Sequence, residues 1–313
     1  MTRYLMIVGL ALLMLVGCKD EKKIQAEQQV LVKEALAEMV PVVGGSFMMG
    51  DFGRRVGEHL PYSFNQDNKP EHKVTLDSFS ISKYRVTWGQ FNRYREILGL
   101  PKNDFYQHLK KYEIYYPSLL GEKYPASVYW QEAKDYCQWV GKVSGEQVDL
   151  PTEAQWEYAA RSRGQLFIFA NNNNVYEPGI NLANEILPVG SYPPNPLGLY
   201  DMMGNGTDWV NDWYAADYYQ HSPEYNPQGP VKGTEKVIRG QMGYDIWGHR
   251  VIDRGKIALN YFENPKSNPP GYGFRCVVNT PETQNAALDL KNSSSSQSIP
   301  VAEQSSSQGE AKS

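Results

Sequence analysis

The sequence predicts a loop-rich α+β domain with little regular secondary structure. A few short segments carry apolar residues at helical spacing, and a few others alternate between polar and apolar residues. Between residues 164 and 276 the chain is dense in glycine, proline, asparagine and aromatic residues, which favours ordered loops. Of the 313 residues, 41% are hydrophobic, which is enough for a sizeable core. A net charge of −4 argues against a protein that binds nucleic acid.

The first 17 residues have the pattern of a secretory signal peptide. Arg3 supplies a positive start, and the apolar run from Leu5 to Val16 is too short to span a bilayer comfortably. The run ends in Leu15-Val16-Gly17-Cys18, which resembles the lipobox of bacterial lipoproteins. This resemblance implies that Cys18 becomes the lipidated, palmitate-bearing first residue of the mature chain. An ordinary signal peptide with a chance cysteine is the alternative.

The residue after the cysteine indicates which membrane holds the anchor. Lys19 stands where an inner-membrane retention signal would usually carry aspartate. The predicted location is therefore the outer membrane, with the protein lipid-anchored and facing the periplasm. Only Cys137 and Cys276 remain besides Cys18, and they form an even pair in a compartment that permits disulfides.

Residues 18–40 are predicted to be a charged tether between the lipid anchor and the domain. Leu31, Val32, Ala35 and Leu36 have helical spacing, so a short amphipathic stalk is expected. Because the segment also carries several glutamates, a tether is favoured over a helix that binds the membrane surface.

Residues 41–280 are predicted to form the globular domain. Alternation between His72 and Ser82 predicts two short strands that meet at Asp77-Ser78. Thr87-Trp88-Gly89-Gln90 has the form of a capping box and predicts the start of a helix. The stretch from Asn103 to Lys123 has no clean period, so a surface insertion is expected there.

Two further helices are predicted after the expected insertion. After Trp130, apolar residues recur at helical spacing and place Cys137 toward the core. Thr152 and Gln155 form a second capping box that opens the next helix. Strands are predicted near residues 236–240 and 273–278. The Ser- and Gln-rich residues 281–313 cannot bury enough apolar surface to order themselves and are predicted to be a disordered tail.

The loop from Gly198 to Trp209 holds the most informative pattern. It sets two aspartates, Asp201 and Asp208, among three glycines. Glycines in such a loop can take φ > 0 and turn backbone carbonyls inward. The carboxylates and carbonyls can then surround a hard cation such as calcium. The spacing leaves open an Asx-turn loop with two solvated aspartates.

Seven segments of the domain together carry a resemblance to a known family. They are Gly45–Gly50, Val74–Thr87, Pro125–Trp139, Leu150–Arg161, Pro188–Trp209, Arg239-Gly240 and Gly273–Cys276. In this order they resemble the formylglycine-generating enzyme family, whose unit is the sulfatase-modifying factor domain. The resemblance covers roughly residues 42–279. It implies one α+β domain of the formylglycine-generating-enzyme fold, with a C-type-lectin-like core.

The resemblance also implies two structural sites. A family disulfide joins the positions of Cys137 and Cys276. A family calcium site uses side-chain oxygens and backbone carbonyls at positions that match Asp201, Gly204, Gly206 and Asp208. A structural calcium ion is therefore the one cofactor expected.

The chain departs from the family in the segment that should carry its chemistry. Family enzymes oxidise a substrate cysteine with two redox cysteines that bind copper, placed shortly after the Arg-Gly strand. Residues 239–250 of this chain contain no cysteine. Copper(I) prefers soft thiolate ligands, for which one methionine and one histidine are a poor substitute. Copper binding and formylglycine-forming activity are therefore not expected, no catalytic residue is assigned, and the chain has the pattern of a pseudoenzyme.

Four residues of the same segment are candidates for partner binding. Met242, Tyr244, Trp247 and His249 would replace the catalytic groove with an aromatic contact surface. Aromatic residues and methionine are enriched in the cores of protein interfaces. The alternative for Tyr244 and Trp247 is that they fill the protein core.

Three functions are compatible with these features. The first is a non-catalytic binding or accessory component of an envelope or secretion machinery, with a periplasmic or envelope protein as its partner. The second is a cysteine-independent oxidase of the same family, acting on a small periplasmic substrate such as a siderophore precursor. The third is a glycan-binding protein, suggested only by analogy of fold and by the aromatic residues.

Overall fold

Short strands and helices alternate with long ordered loops in the computed structural model, which describes residues 21–111, 119–183, 185–240, 250–259 and 271–279. The helices in these ranges are α1 (residues 21–37), α2 (Trp88–Ile97), α3 (Asp104–Lys111), α4 (Trp130–Ser144) and α5 (Glu153–Ala160). The strands are β1 (Met39–Val42), β2 (Gly45–Met49), β3 (His72–Leu76), β4 (Phe79–Ser82), β5 (Val148–Asp149), β6 (Thr207–Trp213), β7 (Glu235–Arg239), β8 (Gly255–Ala258), β9 (Tyr272–Phe274) and β10 (Val277–Asn279). This mixture confirms the α+β class. The predicted signal peptide, Cys18 and the predicted tail lie outside the described residues.

The strands form three small sheets, and one of them carries the loop singled out from the sequence. Two are four-stranded, in the orders β1-β4-β10-β5 and β8-β7-β6-β9, and β2 pairs with β3. In the second four-stranded sheet, β6 is antiparallel to β7 and parallel to β9. Asp208 on β6 consequently lies between Arg239 of β7 and Gly273 of β9. An inner strand of this sheet thus begins where the glycine-rich loop ends.

The predicted helix starts and the predicted helix face are confirmed. The side chains of Thr87 and Thr152 accept from the backbone N–H groups of Gln90 and Gln155 in complete capping boxes. Cys137 of α4 is fully buried and forms a disulfide with Cys276, which lies between β9 and β10. The disulfide therefore ties a core helix to the end of the domain.

One helix was not predicted. The stretch from Asn103 to Lys123 was expected to be a surface insertion without periodic structure, yet it includes α3, which buries Phe105 and Leu109. These two residues are four apart, so one turn of helix places both on the same face. The many tyrosines and lysines around them conceal this short period.

The segment predicted as a tether contributes to the core from Leu31 onward. Leu31 and Val32 of α1 are buried in the hydrophobic cluster that also contains α2 and α4. Glu34 of α1 pairs with Arg93 of α2 at 2.5 Å. No helix in the described ranges is long and apolar enough to cross a membrane.

Candidate functional site

The loop between Tyr200 and Asp208 turns its backbone inward, as the glycine pattern predicted. Asp201, Gly204, Asn205 and Gly206 all have positive φ, at 54°, 69°, 53° and 105°. A Cβ atom on Gly204 would lie 2.6 Å from a backbone oxygen, and one on Gly206 would lie 2.8 Å from another. Both positions therefore require glycine for space as well as for backbone conformation.

Asp208 is the centre of the polar contacts around this loop. Its carboxylate accepts from Arg85 Nε at 2.8 Å and Nη2 at 3.3 Å, from Arg275 Nε at 3.1 Å, and from Trp156 Nε1 at 2.9 Å. All three partners are buried. Burial acts to raise the pKa of Asp208, but the charges of Arg275 and Arg85 outweigh it, and the pKa lies below its usual value. We call Arg85, Asp208 and Arg275 the Asp208 cluster.

The two arginines of this cluster also bind the carbonyl groups of the loop. Arg85 Nη1 donates to Gly204 O at 2.9 Å and to Asn205 O at 3.0 Å. Arg275 Nη2 donates to Tyr200 O at 3.0 Å. The guanidinium groups thus contact the same kinds of oxygen that the sequence assigned to calcium.

Two of the four groups in the expected calcium site bind arginine in this arrangement. Both oxygens of Asp208 accept from arginine, and the carbonyl of Gly204 points at Arg85. The carboxylate of Asp201 accepts from the backbone of Gly190 at 2.8 Å. Over the described part of the chain, no group of three or more histidine, cysteine, aspartate or glutamate residues is placed to hold a metal ion. A guanidinium group therefore contacts two members of the expected set Asp201, Gly204, Gly206 and Asp208, and calcium binding by this set stays a prediction.

A second buried cluster of charges is centred on two glutamates of α5. Glu153 accepts from Arg254 Nε at 2.7 Å and Arg239 Nη1 at 2.8 Å. Glu157 accepts from Arg239 Nη2 at 2.8 Å and Arg161 Nη1 at 2.9 Å. Burial acts to raise the pKa of Glu153, but Arg254 and Arg239 outweigh it and lower the pKa. We call these five residues the Glu153 cluster.

Asp212 lies beside the Glu153 cluster. Its carboxylate accepts from the backbone N–H of Glu153 at 2.8 Å. Burial, and then the charge of Glu153, raise the pKa of Asp212 to about 7. Lys236 lies 3.8 Å from the ring centres of both Trp130 and Trp213, and burial lowers its pKa to about 8. Both groups are buried, so their protonation affects the stability of the fold.

A surface cavity is lined mainly by the loop between β2 and β3. A cavity of about 430 Å³ lies there, and its lining residues are Asp51, Arg54, Pro61, Gln66, Lys69, Pro70, Glu71 and Gln220. Leu60 and Phe64 of the same loop are 62% and 89% exposed. Arg250 donates to the carbonyl of Tyr62 in this loop. Arg250 therefore contacts the loop that contributes most of the cavity lining.

The residues expected to bind a partner belong to the segment 241–249. Met242, Tyr244, Trp247 and His249 all lie outside the described residues. The chain enters their segment at Gly240, where a Cβ atom would lie 2.5 Å from Met202 O and 3.0 Å from the ring of Trp156. The entrance to the segment is consequently held against the loop of the Asp208 cluster.

Two of the three cysteines in the chain are joined in a disulfide. The sequence contains three cysteines. Cys137 and Cys276 form a disulfide with Cα atoms 5.5 Å apart, which confirms the expected pairing. The third is Cys18, in the lipobox-like run. The chain therefore has no second free thiol to pair with Cys18.

Sequence reasoning missed most of the residues that form the two clusters. Arg85 and Arg275 were noted only as parts of matching segments, and Glu153, Glu157 and Arg161 only as parts of a predicted helix. A usable signal was the spacing of the last three, which recur every four residues and so share one face of α5. For Arg85 no local signal exists, because its partners are 119 to 123 residues away.

Comparison with known proteins gives a consistent result for the whole domain. The profile of the sulfatase-modifying factor enzyme 1-like domain matches residues 25–280. The chain is 32% identical over 302 residues to a formylglycine-generating enzyme of Streptomyces coelicolor, covering 80% of this chain and 92% of that enzyme. It is 26% identical to the structure of PvdO from Pseudomonas aeruginosa, with a TM-score of 0.59, covering 77% of this chain and 94% of that one.

A further relative carries an additional region. The chain is 34% identical over 261 residues to the serine/threonine-protein kinase pkn1 of Chlamydia pneumoniae, which corresponds to 78% of this chain. It spans only 38% of the length of that kinase. The similarity therefore concerns a part of the kinase chain and carries no kinase activity to this one.

Proposed function

Since the chain belongs to the sulfatase-modifying factor family, whose domain matches residues 25–280, we propose that it is a member that works by binding and not by turnover. In this proposal it is a lipid-anchored, periplasmic accessory component of an envelope or secretion machinery. Its partner is a periplasmic or envelope protein, and its attachment to the outer membrane is the lipid on Cys18.

The observation that carries this proposal is the distribution of the cysteines. Copper-dependent oxidation of a substrate cysteine needs two thiolates to hold copper(I). Two of the three cysteines here form a buried disulfide, and the third belongs to the lipobox-like run. No pair of free thiols is left for the reaction, while the disulfide and the core of the domain are kept.

The proposed contact surface combines the segment 241–249 with the loop that borders it. Trp247, Tyr244 and Met242 are residue types that anchor interfaces, and Leu60 supplies a nearby apolar side chain that is 62% exposed. Arg250 ties the end of the segment to this loop through Tyr62 O. For this reason the loop between β2 and β3 is included in the proposed surface.

The binding proposal is tested by partner capture from envelope extract followed by mass spectrometry. We expect one or a few envelope proteins to be captured by the wild type and lost with Trp247→Ala, Tyr244→Ala or Leu60→Ser. The matched control is Val231→Ser, which changes a fully exposed apolar residue in a different loop. Equal capture by the wild type and all three surface variants would contradict the proposed surface.

A second experiment measures oxygen consumption to test whether the protein catalyses an oxidation. We expect no oxygen uptake with a cysteine-containing peptide, and no stoichiometric copper binding, by the purified protein with its disulfide intact. Oxygen uptake that is abolished by His249→Ala would overturn the binding proposal.

A cysteine-independent oxidase is the second candidate, favoured by the similarity to PvdO over 94% of its chain. Such an enzyme would oxidise a small periplasmic molecule, such as a siderophore precursor, without a thiol pair. Oxygen uptake with such a precursor but not with a cysteine peptide would identify it.

The membrane attachment has its own test. Cys18→Ser should release the protein from the membrane fraction into the soluble fraction, because the lipid is its proposed anchor. Labelling with a fatty-acid analogue should appear in the wild type alone. A variant that stays in the membrane fraction would show that another segment holds the protein there.

A further inference from the structure

We propose that the guanidinium group of Arg85 is a permanent cation in the loop between Tyr200 and Asp208, and that it takes the place of a hard divalent cation there. The proposal is independent of the proposed function, since it concerns how the domain is held together. It predicts a protein whose loop needs no calcium, and a cation site that appears when Arg85 is truncated.

The backbone of the loop is arranged as it would be around a cation. Four of the six residues from Asp201 to Gly206 have positive φ, including two that are not glycine. Non-glycine residues seldom adopt this conformation unless the surrounding contacts hold them there. Here the result is that the carbonyls of Gly204 and Asn205 both point at one atom, Arg85 Nη1.

The distances around Arg85 are close to those of a coordination shell. Its nitrogens lie 2.8 Å from Asp208 Oδ1, 2.9 Å from Gly204 O and 3.0 Å from Asn205 O. Calcium binds oxygen at about 2.3–2.6 Å. Because Nε contacts Asp208 and Nη1 contacts the two carbonyls, an ion can use all three oxygens as ligands only when the arginine side chain is removed.

The surroundings keep Arg85 in this position. Arg85 is 1% exposed. A Cβ atom on Gly273 would lie 3.1 Å from Arg85 Cδ, and one on Gly240 would lie 3.4 Å from its Nη2. Arg85 thus runs between two glycines whose lack of a side chain leaves room for it.

The charge of the site is also balanced without an ion. Asp208 meets the two guanidinium groups of Arg85 and Arg275, and the carboxyl of Asp201 lies close enough to interact with both. A divalent cation added to two guanidinium groups would face strong repulsion in a buried site. Removing the charge of Arg85 removes half of that repulsion and leaves Asp208 with a free oxygen.

The test compares Arg85→Ala with Arg85→Lys, which keeps the positive charge. In 10 mM calcium we expect the melting temperature of Arg85→Ala to exceed its value in chelator by about 3–5 °C, assuming an affinity near 10⁻³ M. Arg85→Lys and the wild type should show no such shift at this site. Adding Asp208→Asn to Arg85→Ala should abolish the shift, because the carboxylate ligand is lost.

A terbium ion gives a readout that is local to this loop. Trp156 Nε1 lies 2.9 Å from Asp208 Oδ2, so excitation of this tryptophan should sensitise the emission of terbium bound to Asp208. We expect saturable emission from Arg85→Ala that calcium displaces, and much less from Arg85→Lys.

Three outcomes would overturn the proposal. The first is terbium emission from the wild type as strong as that from Arg85→Ala, since the ion would then bind despite the arginine. The second is a melting temperature of Arg85→Ala that calcium leaves unchanged. The third is failure of Arg85→Ala to refold from urea both in 10 mM calcium and in chelator, because the ion is proposed to replace the missing guanidinium.

Discussion

Trp156 touches two buried clusters of arginine and carboxylate groups that are built differently. Its Nε1 donates to Asp208, and Arg239 of the Glu153 cluster lies over its ring at 5.0 Å. The Asp208 cluster shares one carboxylate between two arginines, whereas the Glu153 cluster connects two carboxylates and three arginines in a chain.

The difference between the clusters is one of redundancy. In the Asp208 cluster both arginines depend on the same carboxylate. In the Glu153 cluster Arg239 binds both glutamates, so it keeps one partner if the other is lost. Because an unpaired buried charge is far more costly than a paired one, the Asp208 cluster should be the more sensitive of the two to a single substitution.

The largest effect is expected from removing the disulfide, which lies beside the Asp208 cluster. Cys276 follows Arg275 directly, and the link to Cys137 closes a separation of 139 residues. Changing both cysteines to serine should lower the free energy of unfolding by up to about 5 kcal/mol in the chain-entropy treatment. Urea denaturation measures the loss.

Hydrogen exchange would show whether the disulfide acts on one cluster or on both. We expect amide protection to fall more strongly at residues 199–208 than at residues 153–161, because only the former contact Arg275. A similar fall in both regions would mean that the disulfide stabilises the domain as a whole and does not distinguish the clusters.

The next effect in size is that of Asp208→Asn. Arg85 and Arg275 would both lose their carboxylate partner while still buried. Breaking a buried ion pair on one side costs about 3–5 kcal/mol, and we expect a loss of that order in the free energy of unfolding. Chemical denaturation at neutral pH is the measurement.

Glu157→Gln is the matched control, since it removes one carboxylate of the same kind from the Glu153 cluster. Arg161 loses its carboxylate, but Arg239 keeps Glu153. The loss should therefore be smaller than for Asp208→Asn. If Glu157→Gln destabilises the protein as much or more, the redundancy attributed to the Glu153 cluster is wrong.

The sequence predicted the frame of the fold because its signals are local. The capping boxes at Thr87 and Thr152 and the core-facing Cys137 depend on spacing within one turn or two of helix, and all three are found. The short helix α3 was missed because only Phe105 and Leu109 mark its buried face.

The backbone of the candidate site was predicted from the sequence, and the arginine that contacts it was not. The glycines of the loop around Gly204 indicated inward carbonyls, and the positive φ values agree. The cation that meets them comes from Arg85, far away in the sequence, and a lone arginine between a strand and a helix gives no sign of its partners. The pairing of Arg85 with Asp208 depends on the folded structure, which brings the segment between β4 and α2 next to β6.

A third prediction uses pH to distinguish the clusters. The pKa of Asp212, beside the Glu153 cluster, is raised to about 7 from an ordinary 3.8. The folded protein therefore binds a proton that the unfolded chain has released, so stability falls as pH rises from about 4 to about 7. Glu153, Arg254 and Lys236 face this carboxyl, and the positive charges of the last two only partly offset the burial.

Asp212→Asn should remove this dependence. At pH 7 the variant should be more stable than the wild type by on the order of 2 kcal/mol, because no charge has to be buried. Near pH 4 the two proteins should be nearly equal. Unfolding measured at several pH values checks this, and a variant that is less stable than the wild type at pH 7 would mean that ionised Asp212 is held favourably.

The smallest effect is expected from Tyr219→Phe, which removes one hydroxyl from the Glu153 cluster. The hydroxyl of Tyr219 donates to Glu153 Oε1 at 3.3 Å and accepts from Arg239 Nη1 at 3.4 Å. Both bonds are long, and Glu153 keeps shorter bonds from Arg239 and Arg254. The ring, over which Arg254 lies at 4.5 Å, is retained in the variant. We therefore expect a loss of only about 0.5–1 kcal/mol in the free energy of unfolding, measured by urea denaturation. A loss above about 2 kcal/mol, the cost of leaving a buried polar group without a partner, would show that the Glu153 cluster depends on this hydroxyl and has less redundancy than its ion pairs indicate.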